Sequence, residues 1–224
     1  MGEVRGVILD VDGTLVDSND AHARAWVDAL AESGRQVPFA RVRPLIGMGG
    51  DKVLPILARL SAEEGEGKRI AERREEIFAA RYLPEVRALP GARELLARMK
   101  DEGLRLAVAS SSKEDMLRRL LRLVGAEDVL DAATSSDDAD RSKPDPDIVA
   151  AALERLGEPR ERAVMIGDTP YDVEAAARAR VRSIAFRSGG WDDQALRGAA
   201  AIYDGPDDLG RRFEESILAA AKVR

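Results

Sequence analysis

The sequence predicts a doubly wound α/β fold, a mainly parallel sheet with a block of helices inserted after its first strand. Three observations carry this expectation. Short apolar runs of the kind that fill buried parallel strands occur at residues 6–9, 104–109 and 163–166. Amphipathic segments separate such runs through the later part of the chain, and strand–helix alternation at this spacing builds parallel sheets. From residue 19 to residue 82, by contrast, the pattern is helix after helix with no convincing strand.

Taken in order, the first strand (6–9) runs straight into Asp10 and Asp12, with Gly13 supplying the turn. Asn19 or Asp20 can cap a first helix on which His22, Trp26, Ala29 and Leu30 share a face, and Gly34 ends it. Gly47, Gly49 and Gly50 make a glycine-rich loop before Asp51 opens another helix. Ser61 and Glu64 have the spacing of a capping box, while Gly65 and Gly67 weaken that start, so the firm helix is expected from about Lys68. Pro84, Pro90 and Gly91 close the helical block. Later, Leu117, Leu120, Leu121 and Val124 form one helical stripe, and Asp145 is placed to cap a helix with Pro146 at its first position. Residues 129–134, 182–186 and 200–203 are weaker strand candidates. The expected domains are a core of residues 1–17 and 85–224 and a helical cap of residues 18–84.

Composition narrows the function. The 224 residues carry a formal net charge of −6, which offers no basic field to a nucleic-acid backbone. There is no cysteine, so disulfides and thiolate metal sites are excluded, and the one histidine, His22, excludes multi-histidine centres. The first residues lack the apolar stretch of a signal peptide, and no apolar run reaches membrane-spanning length. A soluble cytoplasmic protein without membrane or nucleic-acid partners is the expectation; monomer and homodimer both stay open.

In an open parallel sheet, ligands bind beyond the carboxyl ends of the strands. There the sequence places Asp10 and Asp12 after the first strand, Ser110 with Ser111 and Ser112 after residues 104–109, and Asp168 with Asp172 after residues 163–166. Lys143 precedes Pro144 and Asp145. Clustered carboxylates repel one another unless a cation or a reaction occupies the space between them. Carboxylates without histidine or cysteine ligands suit a hard cation such as Mg²⁺, while a hydroxyl, a lysine and backbone N–H groups suit phosphate oxygens. Together they point to metal-assisted phosphoryl transfer.

The motifs DVDGTLVDS, VASSS, SKPDPD and GDTPYD, in that order, resemble the four motifs of the haloacid dehalogenase-like hydrolases, and the helical insert resembles that superfamily's branch with a helical cap. The resemblance implies a Rossmann-like core and a Mg²⁺-dependent phosphatase acting on a small-molecule phosphate ester through an aspartyl-phosphate. By position, it makes Asp10 the nucleophile and Asp12 the general acid and base. The metal would be held by Asp10, the backbone carbonyl of Asp12 and Asp168, with Asp172 in support; Ser110 and Lys143 would hold the phosphoryl group. Family members that cleave carbon–halogen bonds lack a carboxylate at the position of Asp12, which favours phosphate chemistry here. The alternatives are a phosphomutase resembling β-phosphoglucomutase, although such mutases carry an arginine where this chain has Gly50, and a non-enzymatic receiver-type domain, which would be about half this length.

Several residues have a second reading. Asp172 is also placed to cap a helix, Ser112 fits capping better than Ser110 does, and Lys143 also reads as a loop lysine. Asp137, Asp138 and Asp140 read as a solvated loop. Thr14, Ser111, His22, Gly49, Gly50, Lys52 and Arg74 are the candidate substrate contacts. His22 also fits simple packing beside Trp26, and Arg74 and Arg81 either reach the cleft or snorkel over the cap interface.

Overall fold

The computed structural model describes residues 3–219; the extremities of the expected core domain, 1–2 and 220–224, lie outside the described residues. Six strands form one sheet, β1 (Gly6–Leu9), β2 (Arg105–Ala109), β3 (Ala132–Thr134), β4 (Ala163–Gly167), β5 (Arg182–Phe186) and β6 (Ala201–Tyr203), in the order β3-β2-β1-β4-β5-β6. Every pairing is parallel.

Side-chain alternation shows why the strands read as continuous apolar runs. Val7, Leu9, Leu106, Val108, Val164 and Ile166 join the core with Leu95 and Leu96 of α5 (Ala92–Asp101) and the buried stripe Leu117, Leu120, Leu121 and Val124 of α6 (Glu114–Val124). Ile8, Ala107, Ala109, Ala163 and Met165 face the other way, onto α7 (Asp147–Leu156) and α8 (Pro170–Arg178). Both faces are thus covered, as a parallel sheet requires. Leu9 pairs with Val108 on one side and Ile166 on the other. That register brings Asp10, Ser110 and Asp168 out at the same edge, beside the point where the strand order reverses.

Between β1 and α5 the insert holds α1 (Asn19–Glu32), α2 (Phe39–Val42), α3 (Gly50–Ala58), α4 (Gly65–Ile77) and a π-helical turn at Phe78–Tyr82, with short 3-10 turns at Arg43–Leu45 and Leu83–Glu85. The two chain crossings into this block are bonded to each other, Leu89 N donating to Leu15 O and Asp17 N to Arg87 O, both 2.9 Å.

Three local expectations are corrected. Helix α4 begins at Gly65 rather than near Lys68, and Glu64, without a side-chain cap bond, stands at its N-cap. Ser61 Oγ instead accepts from Glu63 N (3.1 Å). The glycine that weakened the reading is what permits this start, since a Cβ on Gly67 would lie 1.9 Å from the Ser61 carbonyl oxygen. Asp145 does not cap α7, whose N-cap is Pro146, because its carboxylate is taken by Lys52 (2.7 Å) and Arg178 (3.1 Å). The third strand starts at Ala132 rather than residue 129, because Val129 N closes a turn onto Ala126 O.

Candidate active site

The ends of β1 and β4, the first turn of α8 and the loop before α7 deliver polar residues to one buried cluster. Oxygens of Asp10, Asp168 and Asp172 all lie within 4.8 Å of one another, and all three residues are buried. Lys143, 1% exposed, reaches into the cluster and donates to Asp10 Oδ1 and, at 2.7 Å, to Asp172 Oδ1. Thr14 Oγ1 donates to Asp168 Oδ1 (3.2 Å), with Asp10 Oδ2 at 3.5 Å. Asn19 Nδ2 donates to Asp168 Oδ2 at 2.7 Å. Gly13 makes this convergence possible: its φ is +77°, and a Cβ there would lie 2.1 Å from Asp168 Oδ2 and 2.2 Å from Asn19 Nδ2.

Three carboxylates face one ammonium in a space that water does not screen. Burial, with Asp172 and Asp12 adding to it, pushes the Asp10 carboxyl up to about 7 against the opposing Lys143. Asp168 is likewise pushed well above the usual carboxylate range by burial and by Asp172 and Asp10. Burial alone would favour a neutral Lys143, but Asp10 and Asp172 hold it charged, above its ordinary value. An all-oxygen donor set with excess negative charge fits a hard divalent cation. The oxygen Oδ1 of Asn19, buried without a donor, fits a hydrated ion as well.

Asp12 lies apart from this cluster. His22 Nε2 is 2.8 Å from Asp12 Oδ1, Ser18 Oγ donates to the same oxygen at 2.5 Å, and Ser112 Oγ donates to Oδ2 at 3.3 Å. Burial raises the Asp12 carboxyl, yet His22 and the hydrogen bonds from His22 and Ser18 together hold it well below the usual range. For His22 burial prevails and lowers its affinity for a proton in spite of Asp12. A neutral ring donating through Nε2 to an ionised carboxylate satisfies both directions and leaves Nδ1, which has no partner, as a free lone pair. The ring is held by Phe78, stacked at 3.8 Å and 6°.

Above these residues opens a cleft of about 820 Å³ between the sheet edge and the insert, lined by Asp10, Asp12, His22, Trp26, Arg74, Ser110 and Lys143 among others. The haloacid dehalogenase-like hydrolase family matches residues 4–180. The chain belongs to this family. It is 32% identical over 218 residues to the phosphoglycolate phosphatase of Rhodospirillum rubrum, covering 92% of this chain and 89% of that one. It is 26% identical over 185 residues to the chloroplastic 5-amino-6-(5-phospho-D-ribitylamino)uracil phosphatase of Arabidopsis thaliana, covering 82% of this chain and half (50%) of that one. The crystal structure of a hydrolase from Pseudomonas syringae superposes with a TM-score of 0.87 at 31% identity, covering 96% of this chain and 100% of that one.

Within the framework of this hydrolase family, the sequence-predicted residues divide cleanly. Asp10, Asp12, Ser110, Ser111, Lys143, His22, Gly49, Gly50 and Arg74 line the cleft. Asp168 and Asp172 lie buried behind Asp10. Asp172 forms a capping box with Thr169, as the sequence suggested, and also belongs to the carboxylate cluster. Thr14, fully buried, serves the carboxylates rather than the cleft. Lys52 turns to Asp145. His22 stacks on Phe78 and holds Asp12 through Nε2, while its Nδ1 has no partner and the residue lines the cleft. Ser112 is no helix cap, since Lys113 occupies that position, and its hydroxyl goes to Asp12 instead. Arg81 is exposed and pairs with Asp28 at 3.1 Å. Sequence reading missed Ser18 and Asn19 as site residues. Position was their one signal: Ser18 closes the DVDGTLVDS motif and Asn19 opens α1, one turn before His22.

Proposed function

We propose that the protein is a Mg²⁺-dependent phosphatase that hydrolyses a small phosphomonoester through an aspartyl-phosphate. The observation that carries this reading is the division of labour between the two aspartates, Asp10 inside the carboxylate cluster with Lys143 and Asp12 outside it on a separate hydrogen-bond network. The carboxylates of Asp10 and Asp168 with the Asp12 carbonyl would hold the ion, and Asp172 would support it. The ion would supply charge neutralisation for the phosphoryl group and the nucleophile.

A carboxylate oxygen of Asp10 attacks phosphorus as the ester P–O bond breaks, and Asp12 gives its proton to the departing alkoxide oxygen. Asp12, now ionised, takes a proton from the water that attacks the aspartyl-phosphate, and the second P–O cleavage returns Asp10 and inorganic phosphate. Asp12 is held ionised before the ester arrives; a monoprotonated phosphomonoester brings the proton, and the phosphoryl charge beside Asp12 raises its proton affinity so that Asp12 takes that proton up and passes it to the departing oxygen. Ser110 and Lys143 donate to the phosphoryl oxygens. The Gly50 position offers no arginine for the second phosphate of a mutase intermediate, which favours hydrolysis over the mutase reading. No helix among the described residues is long and apolar enough to cross a membrane, and we place the enzyme in the cytoplasm.

Turnover of p-nitrophenyl phosphate tests the reading. Activity should require Mg²⁺, stop on chelation, and fall on the order of 10³-fold in Asp10→Asn. Absence of metal-dependent turnover across a broad phosphomonoester panel would exclude it.

A further inference from the structure

The carboxylate of Asp168 is walled by two loops that leave no room for a side chain. A Cβ on Gly13 would lie 2.1 Å from Asp168 Oδ2, and one on Gly189 would lie 2.4 Å from the same oxygen. Gly189 closes the 3-10 turn Arg187–Gly189 that follows β5. Its Cβ would also meet the Asp168 carbonyl oxygen, at 2.3 Å, so this turn packs on both the backbone and the side chain of Asp168. Thr14 and Asn19 fix the two carboxylate oxygens by hydrogen bonds. Contact with the turn fixes them by exclusion, and only as firmly as the turn itself is held.

Two bonds hold the turn. Ser188 Oγ donates to the Gly13 carbonyl at 2.6 Å and joins the two loops directly. Arg43 Nη2 donates to the Gly189 carbonyl at 2.9 Å, while Arg43 Nε donates to Asp20 Oδ1 at 2.7 Å. Both residues belong to the insert, Arg43 in a 3-10 turn and Asp20 in the first turn of α1. Asp20 is also the chain neighbour of Asn19, which bonds Asp168 Oδ2. The contacts therefore close a ring, from Asp168 to Asn19, along the chain to Asp20, across to Arg43, and back through Gly189 to Asp168. The Asp20 side chain is 61% exposed and that of Arg43 21%, and an ion pair so open to water contributes little stability of its own. Its consequence is geometric. With Nε engaged by Asp20, the planar guanidinium has its Nη2 fixed on the Gly189 carbonyl.

We infer that Arg43 is a positioning residue for the metal site, holding the Arg187–Gly189 turn against Asp168 from outside the cleft. It is not among the residues that line the cleft, so it touches neither the ester nor the reacting atoms. The inference rests on the phosphatase reading for the identity of the ion, and adds to it a link between the insert and the core's hold on that ion. Such a link runs both ways: seating the insert tightens Mg²⁺ binding, and Mg²⁺ binding seats the insert.

The test is calorimetric binding of Mg²⁺ to the metal-free full chain, with thermal melting and p-nitrophenyl phosphate turnover measured on the same samples. Direct partners of a metal ligand are worth about 10- to 100-fold in affinity; Arg43 acts one step further out, so Arg43→Ala should raise the Mg²⁺ Kd about fivefold. Charge alone gives the opposite sign, since removing a cation favours the binding of another. Arg43→Lys keeps the charge but offers no planar fork, and should show most of the same loss. Saturating Mg²⁺ should restore kcat to within about twofold of wild type, because no reacting group has been touched. Ser188→Ala frees the turn on its other side and should also weaken Mg²⁺ binding; with Arg43→Lys it carries the test should Arg43→Ala not fold. An unchanged Kd in these variants, even with a lower metal-free Tm, would make Arg43 a fold contact and overturn the inference while leaving the phosphatase intact. A lowered kcat at unchanged Kd would overturn it too. A wild type with neither Mg²⁺ binding nor turnover would instead remove both.

Discussion

At the scale of single residues, the site is built from groups that a stable fold would not choose. Asp10, Asp168 and Asp172 are crowded together with one lysine, and the resulting repulsion is a stability cost retained for chemistry. Asp168→Asn should therefore leave the metal-free protein at least as stable as wild type, by thermal melting, while abolishing the rise in Tm expected for the wild type with Mg²⁺ and lowering turnover by a hundredfold or more. A lower metal-free Tm would mean that the cluster is held together by bonds stronger than its repulsion. His22 yields a pH prediction. Its proton affinity is lowered in the folded state by burial, so the unfolded chain binds the extra proton first. The stability it contributes is complete above the unfolded value near 6.5 and declines as pH falls below it. Asp10 and Asp168, whose carboxyls are raised, act in the opposite sense, so the effect belongs in a difference: urea unfolding of His22→Gln should gain on wild type between pH 8 and pH 5.5. Parallel curves would mean that His22 titrates alike in the folded and unfolded states, and a wild type that gains on the variant as pH falls would assign His22 a charged state in the fold.

At the scale of elements, the apolar runs were readable because both faces of the sheet are covered and every side chain of β1 is buried. What could not be read was anything decided by a distant partner. Asp145 looked like a cap because capping is local, and it was claimed by Lys52, far away in sequence. The start of β3 is set similarly: Asp131, just before it, accepts from Leu106 N at 2.7 Å and from Lys100 Nζ at 2.8 Å, tying the edge strand to its neighbour. Burial works against ionisation of Asp131, but these bonds prevail and hold its carboxyl below the usual range. The stability involved is present above the unfolded value near 3.9 and fades as pH falls through the lower folded value. Asp131→Ala should cost about 1 kcal/mol at pH 7, measured by chemical denaturation, and less at pH 3. An equal cost at both would assign the effect to packing.

At the scale of the whole molecule, the chemistry sits where the insert meets the sheet, and that junction is what the sequence concealed. The aspartates announced themselves because carboxylates at strand ends are unusual; Ser18, Asn19 and Ser112 are ordinary residues whose roles exist only once the insert is folded over the core. The junction also reaches the loop of Lys143. Gly49 N donates to Ser142 Oγ (3.0 Å), Ser142 Oγ donates to Asp51 Oδ1 (2.5 Å), and Lys52 Nζ donates to Asp145 Oδ2 (2.7 Å). The insert therefore grips residues on both sides of Lys143, whose side chain holds Asp10 and Asp172. If Lys52 acts on catalysis through Asp145, the two must be non-additive. Asp145 has other cations, Arg178 at 3.1 Å and Arg141 at 3.6 Å, so Lys52→Ala should lower kcat severalfold and Asp145→Ala about tenfold. The double variant should then fall no further than Asp145→Ala alone, because once the carboxylate is gone the lysine has nothing to hold. Multiplying losses would show instead that Lys52 acts on the substrate directly, which its absence from the cleft lining argues against.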